Sequence, residues 1–113
     1  LQNMKVITEH KTAYITLTQD ELNSFNYVKG DTEGIVNYGL SIKGIVFAAI
    51  FIENKEEKII KISFRSQGDF DVNQFARDYF NGGGHRNAAG GKSEVSMEET
   101  IRKFEDLVTK LSI

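Results

Sequence analysis

The order of apolar patterns predicts an α/β fold, a single domain with a mixed β-sheet of about five strands flanked by helices. Three observations carry that expectation. Residues 45–52 are apolar without a break, the length and side-chain type of a strand covered on both faces. Residues 59–66 alternate, with Ile60, Ile62 and Phe64 on one face and Lys61, Ser63 and Arg65 on the other. Later segments change period: Val72, Phe75, Ala76, Tyr79 and Phe80, then Ile101, Phe104, Val108 and Leu111, fall on helical stripes.

The remaining elements follow in order. Residues 4–9 and 13–17 read as short strands, with His10 and Lys11 at the turn between them. Thr18-Gln19-Asp20-Glu21 has the spacing of a capping box and predicts a short helix burying Leu22 and Phe25. Asp31 can cap a second helix through Glu33, Ile35, Val36 and Tyr38, although Gly34 and Gly39 weaken it. Residues 55–58 turn between the two central strands. Asp71 caps the helix that carries Phe75, and Ser96-Met97-Glu98-Glu99 opens the last one. No repeat or linker divides residues 1–113, so one domain is expected.

Composition narrows the function classes. A chain of 113 residues, 40% hydrophobic and 27% charged, has the balance of a globular domain rather than a disordered one. It has no cysteine, which excludes disulfides and thiolate metal sites and is compatible with the cytoplasm. No apolar stretch approaches the roughly 18 residues of a membrane span, so no membrane association is expected. The net charge of −2 gives no blanket attraction for nucleic acid. The chain starts with Leu1, which suggests a segment of a longer protein.

The chemistry concentrates in Gly82-Gly83-Gly84-His85-Arg86-Asn87-Ala88-Ala89-Gly90-Gly91. Five glycines and two alanines leave little side chain to keep a ligand from the main chain. Successive N–H groups in such a loop can form an anion-binding nest, and a helix starting near residues 86–89 would add its positive end. His85 adds a donor of the type that charges near neutral pH. A side chain at Gly84 should then harm ligand binding more than folding. The plainer alternative is a flexible loop with Gly82 as a helix C-cap, which accounts for one glycine and not for the other four. Arg65, on the polar face at a strand end with Ser66 beside it, can fork onto the same phosphate, or pair with Asp69 or Asp71 instead. Asp31, Glu33 and Asn37 could be a metal cluster, but capping and solvation explain the two acids more simply. No metal site and no catalytic residue is expected in this chain, because nothing forms a Ser/His/Asp or Cys/His arrangement and the two histidines lie far apart.

The string Gly82-Gly83-Gly84-His85-x-x-Ala88-Ala89-Gly90, preceded by Phe64-Arg65-Ser66 and Asp71-Val72, resembles the C-terminal DHH-associated domain of DHH-family phosphoesterases. Asp31-x-Glu33-Gly34-Ile35-Val36-Asn37 is similar to that domain in the branch of bifunctional oligoribonucleases and pAp phosphatases. The resemblance implies an N-terminal catalytic domain in the parent protein, carrying an Asp-His-His motif and manganese, with no cofactor in this half. It implies that Arg65, Ser66, Gly83, Gly84, His85, Ala88 and Ala89 line the cleft and hold a short RNA or nucleotide substrate. Gly82 and Gly90 join them from the loop reading. Alternatives are a parent acting on cyclic dinucleotides or polyphosphate, and a non-catalytic nucleic-acid-binding or oligomerising module of the kind found in alanyl-tRNA synthetases.

Overall fold

The computed structural model describes residues 3–24 and 29–113, with side chains from residue 32 onward in the second stretch. Strands β1 (Met4–Ile7) and β2 (Thr12–Leu17) form an antiparallel hairpin around a 3-10 turn at Thr8–His10. Lys11 closes that turn in the left-handed conformation, so the first strand ends before residue 9. Helix α1 (Gln19–Ser24) begins with a complete capping box. Thr18 Oγ1 accepts from the Glu21 N–H at 3.2 Å, and the Thr18 N–H donates to Glu21 Oε1 at 2.9 Å. Phe25, its expected core residue, lies outside the described residues.

Helix α2 (Lys29–Ser41) starts two residues before Asp31, which is therefore inside the helix and not its cap; the Asp31 side chain lies outside the described residues. Packing carries this helix past its glycines. Val36 is fully buried, and a Cβ at Gly39 would stand 3.3 Å from the Ala48 Cβ, so glycine lets the helix sit close on the sheet. Strand β3 (Phe47–Asn54) then runs parallel to β2, with Thr12 opposite Phe47. Strand β4 (Ile59–Ser66) returns antiparallel after the turn at residues 55–58. Asp71 Oδ1 accepts from the Gln74 N–H at 3.1 Å and starts α3 (Val72–Tyr79). Strands β5 (Gly83–His85) and β6 (Ala88–Ser93) follow, then α4 (Met97–Val108), whose cap Ser96 accepts from the Glu99 N–H at 3.1 Å. No helix among the described residues is long and apolar enough to cross a membrane.

The strand order is β1-β2-β3-β4-β6-β5, with only β2 and β3 parallel. This is the expected α/β domain, with six strands where about five were expected; β5 and β6 both come from the glycine-rich stretch, in which no strand was expected. The Gly-Gly-His sequence of β5 carries no strand propensity, and pairing to β6 imposes the extended form.

Two cores hold the layers together. Strand β3 feeds both, as its unbroken apolar run requires: Phe47, Ala49 and Phe51 enter one, Ala48 and Ile50 the other. The second core joins Ile15 and Leu17 to Val36 of α2. The first lies under α3 and α4 and is aromatic. Phe104 of α4 is fully buried there, its ring 5.0 Å from Phe51, 5.5 Å from Tyr14, 5.6 Å from Phe47 and 6.1 Å from Phe75. Such edge and tilted pairs stabilise beyond the area they bury.

Tyr14 ties this core to charge at its rim. Its hydroxyl donates to Glu105 Oε2, which also accepts from Lys5 Nζ at 2.8 Å. Burial, and then the carboxylate beside it, push the Tyr14 hydroxyl above the usual phenol range. The hydrogen bond from Lys5, then that from Tyr14, hold the Glu105 carboxyl below its usual range. A carboxyl lowered in the folded state adds stability above its unfolded pKa and loses it as pH falls through the folded one. Glu105→Gln should therefore lower stability at neutral pH by about 1–2 kcal/mol. Chemical denaturation at descending pH should show the gap to the native chain closing in acid; a gap that stays constant would show that the charge contributes nothing.

Candidate functional site

The sheet is covered unevenly. Helices α3 and α4 close one face, while α2 packs over β2, β3 and part of β4 on the other. The remainder of that second face, across β4, β6 and β5, carries the candidate site. Antiparallel pairing sorts its residues into rows, because directly opposed residues share a face. Arg65 stands opposite Ala88, and Ala88 opposite His85. The next row is Ser63, Gly90 and Gly83. Beyond it Lys61 opposes Lys92. The last two rows line an open groove of 520 Å³ that includes Gly82 and Asn81.

In the first row, Arg65 and His85 are two strands apart, a backbone separation of about 10 Å. The short Ala88 lies between them, so the two residues stand in one row with no bulky side chain separating their backbones. His85 is exposed. Arg65 is held in place: its side chain is 16% exposed, Nη1 donates to the Phe64 carbonyl at 2.9 Å, and Nη2 meets both oxygens of Glu33 at 2.8 Å. The partner is thus Glu33 of α2, in place of Asp69 or Asp71. Glu33 is tied to Arg65, and among the described residues it belongs to no group that could hold a metal ion. Asn37, one helical turn along, is exposed.

Ser66 does not face this row. It is buried, donates to the Phe70 carbonyl at 2.7 Å and accepts from Asn87 Nδ2 at 2.8 Å. Its hydroxyl fastens the hairpin turn to the loop before α3, as does the Val72 N–H to the Arg86 carbonyl at 2.7 Å. Ala89 also points inward, buried in the aromatic core at 5% exposure. Both position Arg65 and His85 from behind.

The glycine string forms a hairpin, with no helix near residues 86–89; residues 86 and 87 are its turn and β6 begins at Ala88. Its amides are largely spent within the fold. The Gly82 N–H donates to the Ala76 carbonyl at 3.2 Å, and the Gly84 N–H to Asn73 Oδ1 at 2.9 Å. Asn73 carries no pattern by which sequence alone could have marked it. Most of the glycines serve close packing. A Cβ at Gly82 would fall 1.9 Å from the Gly90 carbonyl oxygen, and one at Gly84 2.7 Å from that of Ala88. The chain reaches Gly82 by turning at Asn81, which holds φ 52 after the end of α3. Gly90 differs: a Cβ there would meet only the Ile62 carbonyl oxygen at 3.4 Å, and it lines the groove.

No three His, Cys, Asp or Glu side chains gather to hold a metal ion among the described residues.

The DHHA1 domain matches residues 10–111. Among solved structures, an exopolyphosphatase-related protein from Bacteroides fragilis superposes with a TM-score of 0.89 at 47% identity, over 96% of this chain and 32% of that one. An uncharacterized protein from Helicobacter pylori G27 gives 0.56 at 22% identity, over 87% and 26% respectively. A pGpG-specific phosphodiesterase from Vibrio cholerae gives 0.60 at 13% identity, over 96% and 35%. The last two share the fold. The chain spans a third or less of the first two proteins and 35% of the third. No curated protein matches it.

The glycine geometry separates folding from binding. Gly84→Val must displace β6 backbone and should cost several kcal/mol of stability, a reversal of the sequence expectation. Gly90→Val should stay within about 1 kcal/mol of the native chain while filling the groove floor. Thermal melts of both variants, with titration of a nucleoside bisphosphate, check this. Equal melting losses would mean that Gly90 is as sterically confined as Gly84.

Proposed function

The chain belongs to the DHHA1 domain family, and from that premise we propose that it is the substrate-holding part of a DHH-type phosphoesterase acting on short RNA oligonucleotides or pAp. The observation that carries the reading is the row of Arg65, Ala88 and His85 on the uncovered sheet face, beside a floor row with no long side chain. A substrate phosphate would replace the Glu33 carboxylate on Arg65, exchanging one charge-assisted pair for another. His85 would donate from the opposite side. Ala88 and Gly90 keep the floor low enough for the sugar to lie flat. These residues bind and orient the ester, holding it where catalytic groups can reach it. On this reading the catalytic groups, manganese included, belong to a second, N-terminal domain of a longer parent protein.

A second reading has one specific observation in its favour. The Bacteroides relative, at 47% identity, is described as exopolyphosphatase-related. The same row would then hold a phosphate within an inorganic chain.

Binding distinguishes the residues in either case. Arg65→Ala and His85→Ala should each weaken pAp binding about tenfold or more, because each removes a donor to phosphate. Glu33→Gln should strengthen it by up to about fivefold, the worth of a solvent-edged ion pair no longer in competition. Calorimetric titration at one fixed salt concentration is the measurement. Arg65→Ala and His85→Ala both binding like the native chain would sink the proposal.

A further inference from the structure

We propose that Lys61 and Lys92 form a second phosphate subsite, which takes the backbone of a short oligonucleotide strand running along β4 and β6 away from Arg65 and His85. The inference rests on the reading of the Arg65–His85 row as a phosphate site and extends it along the sheet.

Three features of the groove support it. Lys61 and Lys92 are directly opposed on antiparallel strands, an arrangement in which like charges repel. A bound anion between them turns that repulsion into attraction. Glu57 meets Lys61 at 3.1 Å, but both side chains are more than half exposed, so this pair offsets little. Lys92 is exposed, with no ion pair among the described residues. No acidic side chain lines the groove they share.

The spacing chooses the ligand. Lys61 lies four residues from Arg65 on one strand, about 13 Å away. One phosphate group cannot bridge that distance. The intervening row of Ser63, Gly90 and Gly83 carries no charge and no long side chain. Inorganic polyphosphate places a charge on every unit and would lay unmatched charge over this neutral floor. An oligonucleotide spaces its phosphates further apart, by a sugar, so a strand of two or three nucleotides reaches from Arg65 to the lysines and leaves less unmatched charge over the neutral row. The geometry therefore favours a nucleic-acid strand over an inorganic chain, and a strand of several nucleotides over a single nucleotide.

Both lysines are exposed, so Lys61→Gln/Lys92→Gln should fold like the native chain, which its amide spectrum checks. The probes are a 5′-phosphorylated trinucleotide, a nucleoside monophosphate and linear inorganic polyphosphate. The double variant should bind the trinucleotide about tenfold more weakly and the monophosphate within about twofold of the native chain. The slope of log K against log salt for the trinucleotide should become shallower by about 0.7, one phosphate contact. Unchanged trinucleotide affinity, or an equal loss for the monophosphate, would overturn the subsite. A native chain that prefers polyphosphate, with the larger loss on that probe, would overturn the choice of ligand. Arg65→Ala separates this inference from its premise. If it weakens every probe while the lysine variant weakens none, only the subsite fails; if Arg65→Ala changes nothing, or the native chain binds no probe, both fail.

Discussion

The close approach of residues 80–84 to strand β6 is the constraint on which both the fold and the site depend. A Cβ at Gly91 would lie 2.9 Å from both the Cβ and the carbonyl oxygen of Phe80, and Gly82 and Gly84 are more confined still. Without side chains at these three positions, the end of α3 can fold directly onto the sheet. The Lys92 N–H then donates to the Phe80 carbonyl at 2.8 Å, joining helix end to strand. This contact delivers the Phe80 ring to the aromatic core, 5.6 Å from Phe64, and makes β5 possible at all. The low floor on the other face comes from different positions, among them Gly90, which packing leaves unconfined. The helix end and β5 fix where that floor lies, and the residues of its own row keep it low.

The asymmetry of the layers makes that surface available. Helix α4 places Phe104 against rings from β2, β3, β4 and α3, which closes one face of the sheet across its width. On the opposite face α2 reaches β4 and no further by its principal packing. Arg65 stands at that limit. Its aliphatic stem is covered and its guanidinium meets the helix edge through Glu33, so a strand-end cation that would otherwise be mobile is aimed along the uncovered face. The exposed site owes its precision to buried neighbours: Ser66 and Ala89, one residue along from Arg65 and Ala88, lock the same two strands from the core side.

Much of this was legible in the sequence, for reasons that differ by element. The alternation at residues 59–66 gave strand β4 with its true ends, because a half-buried strand must alternate. Asp71, Ser96 and the Thr18–Glu21 pair announced helix starts through side chains that satisfy orphan amides, and those bonds form. Three features escaped. Asp31 looked like a cap, yet α2 begins earlier, since packing of Val36 against the sheet sustains more helix than its local signals specify. Strands β5 and β6 were hidden because a glycine-rich stretch reads as loop, and only pairing makes them extended. The nest of amides was expected from composition alone. Composition does not reveal that Asn73 and the Ala76 carbonyl, each distant by several residues, already accept the protons of Gly84 and Gly82.

The pairing of Arg65 with Glu33 changes how the candidate site is understood. A buried cation without a partner would be costly, and at 16% exposure the Arg65 side chain is close to that situation. Glu33 relieves it, but from a position 59% exposed, where water screens the attraction and the carboxylate can swing away. The pair is therefore firm at one end and loose at the other. On the proposed reading, an arriving phosphate would not need to desolvate a fully hydrated guanidinium, since the fold has already oriented it, and would only have to outcompete a carboxylate held weakly at the helix edge. The resident acid would then hold Arg65 while no ligand is bound and yield where a doubly charged phosphate offers more. Such an exchange would select for ligand charge before any contact with a base or sugar is made.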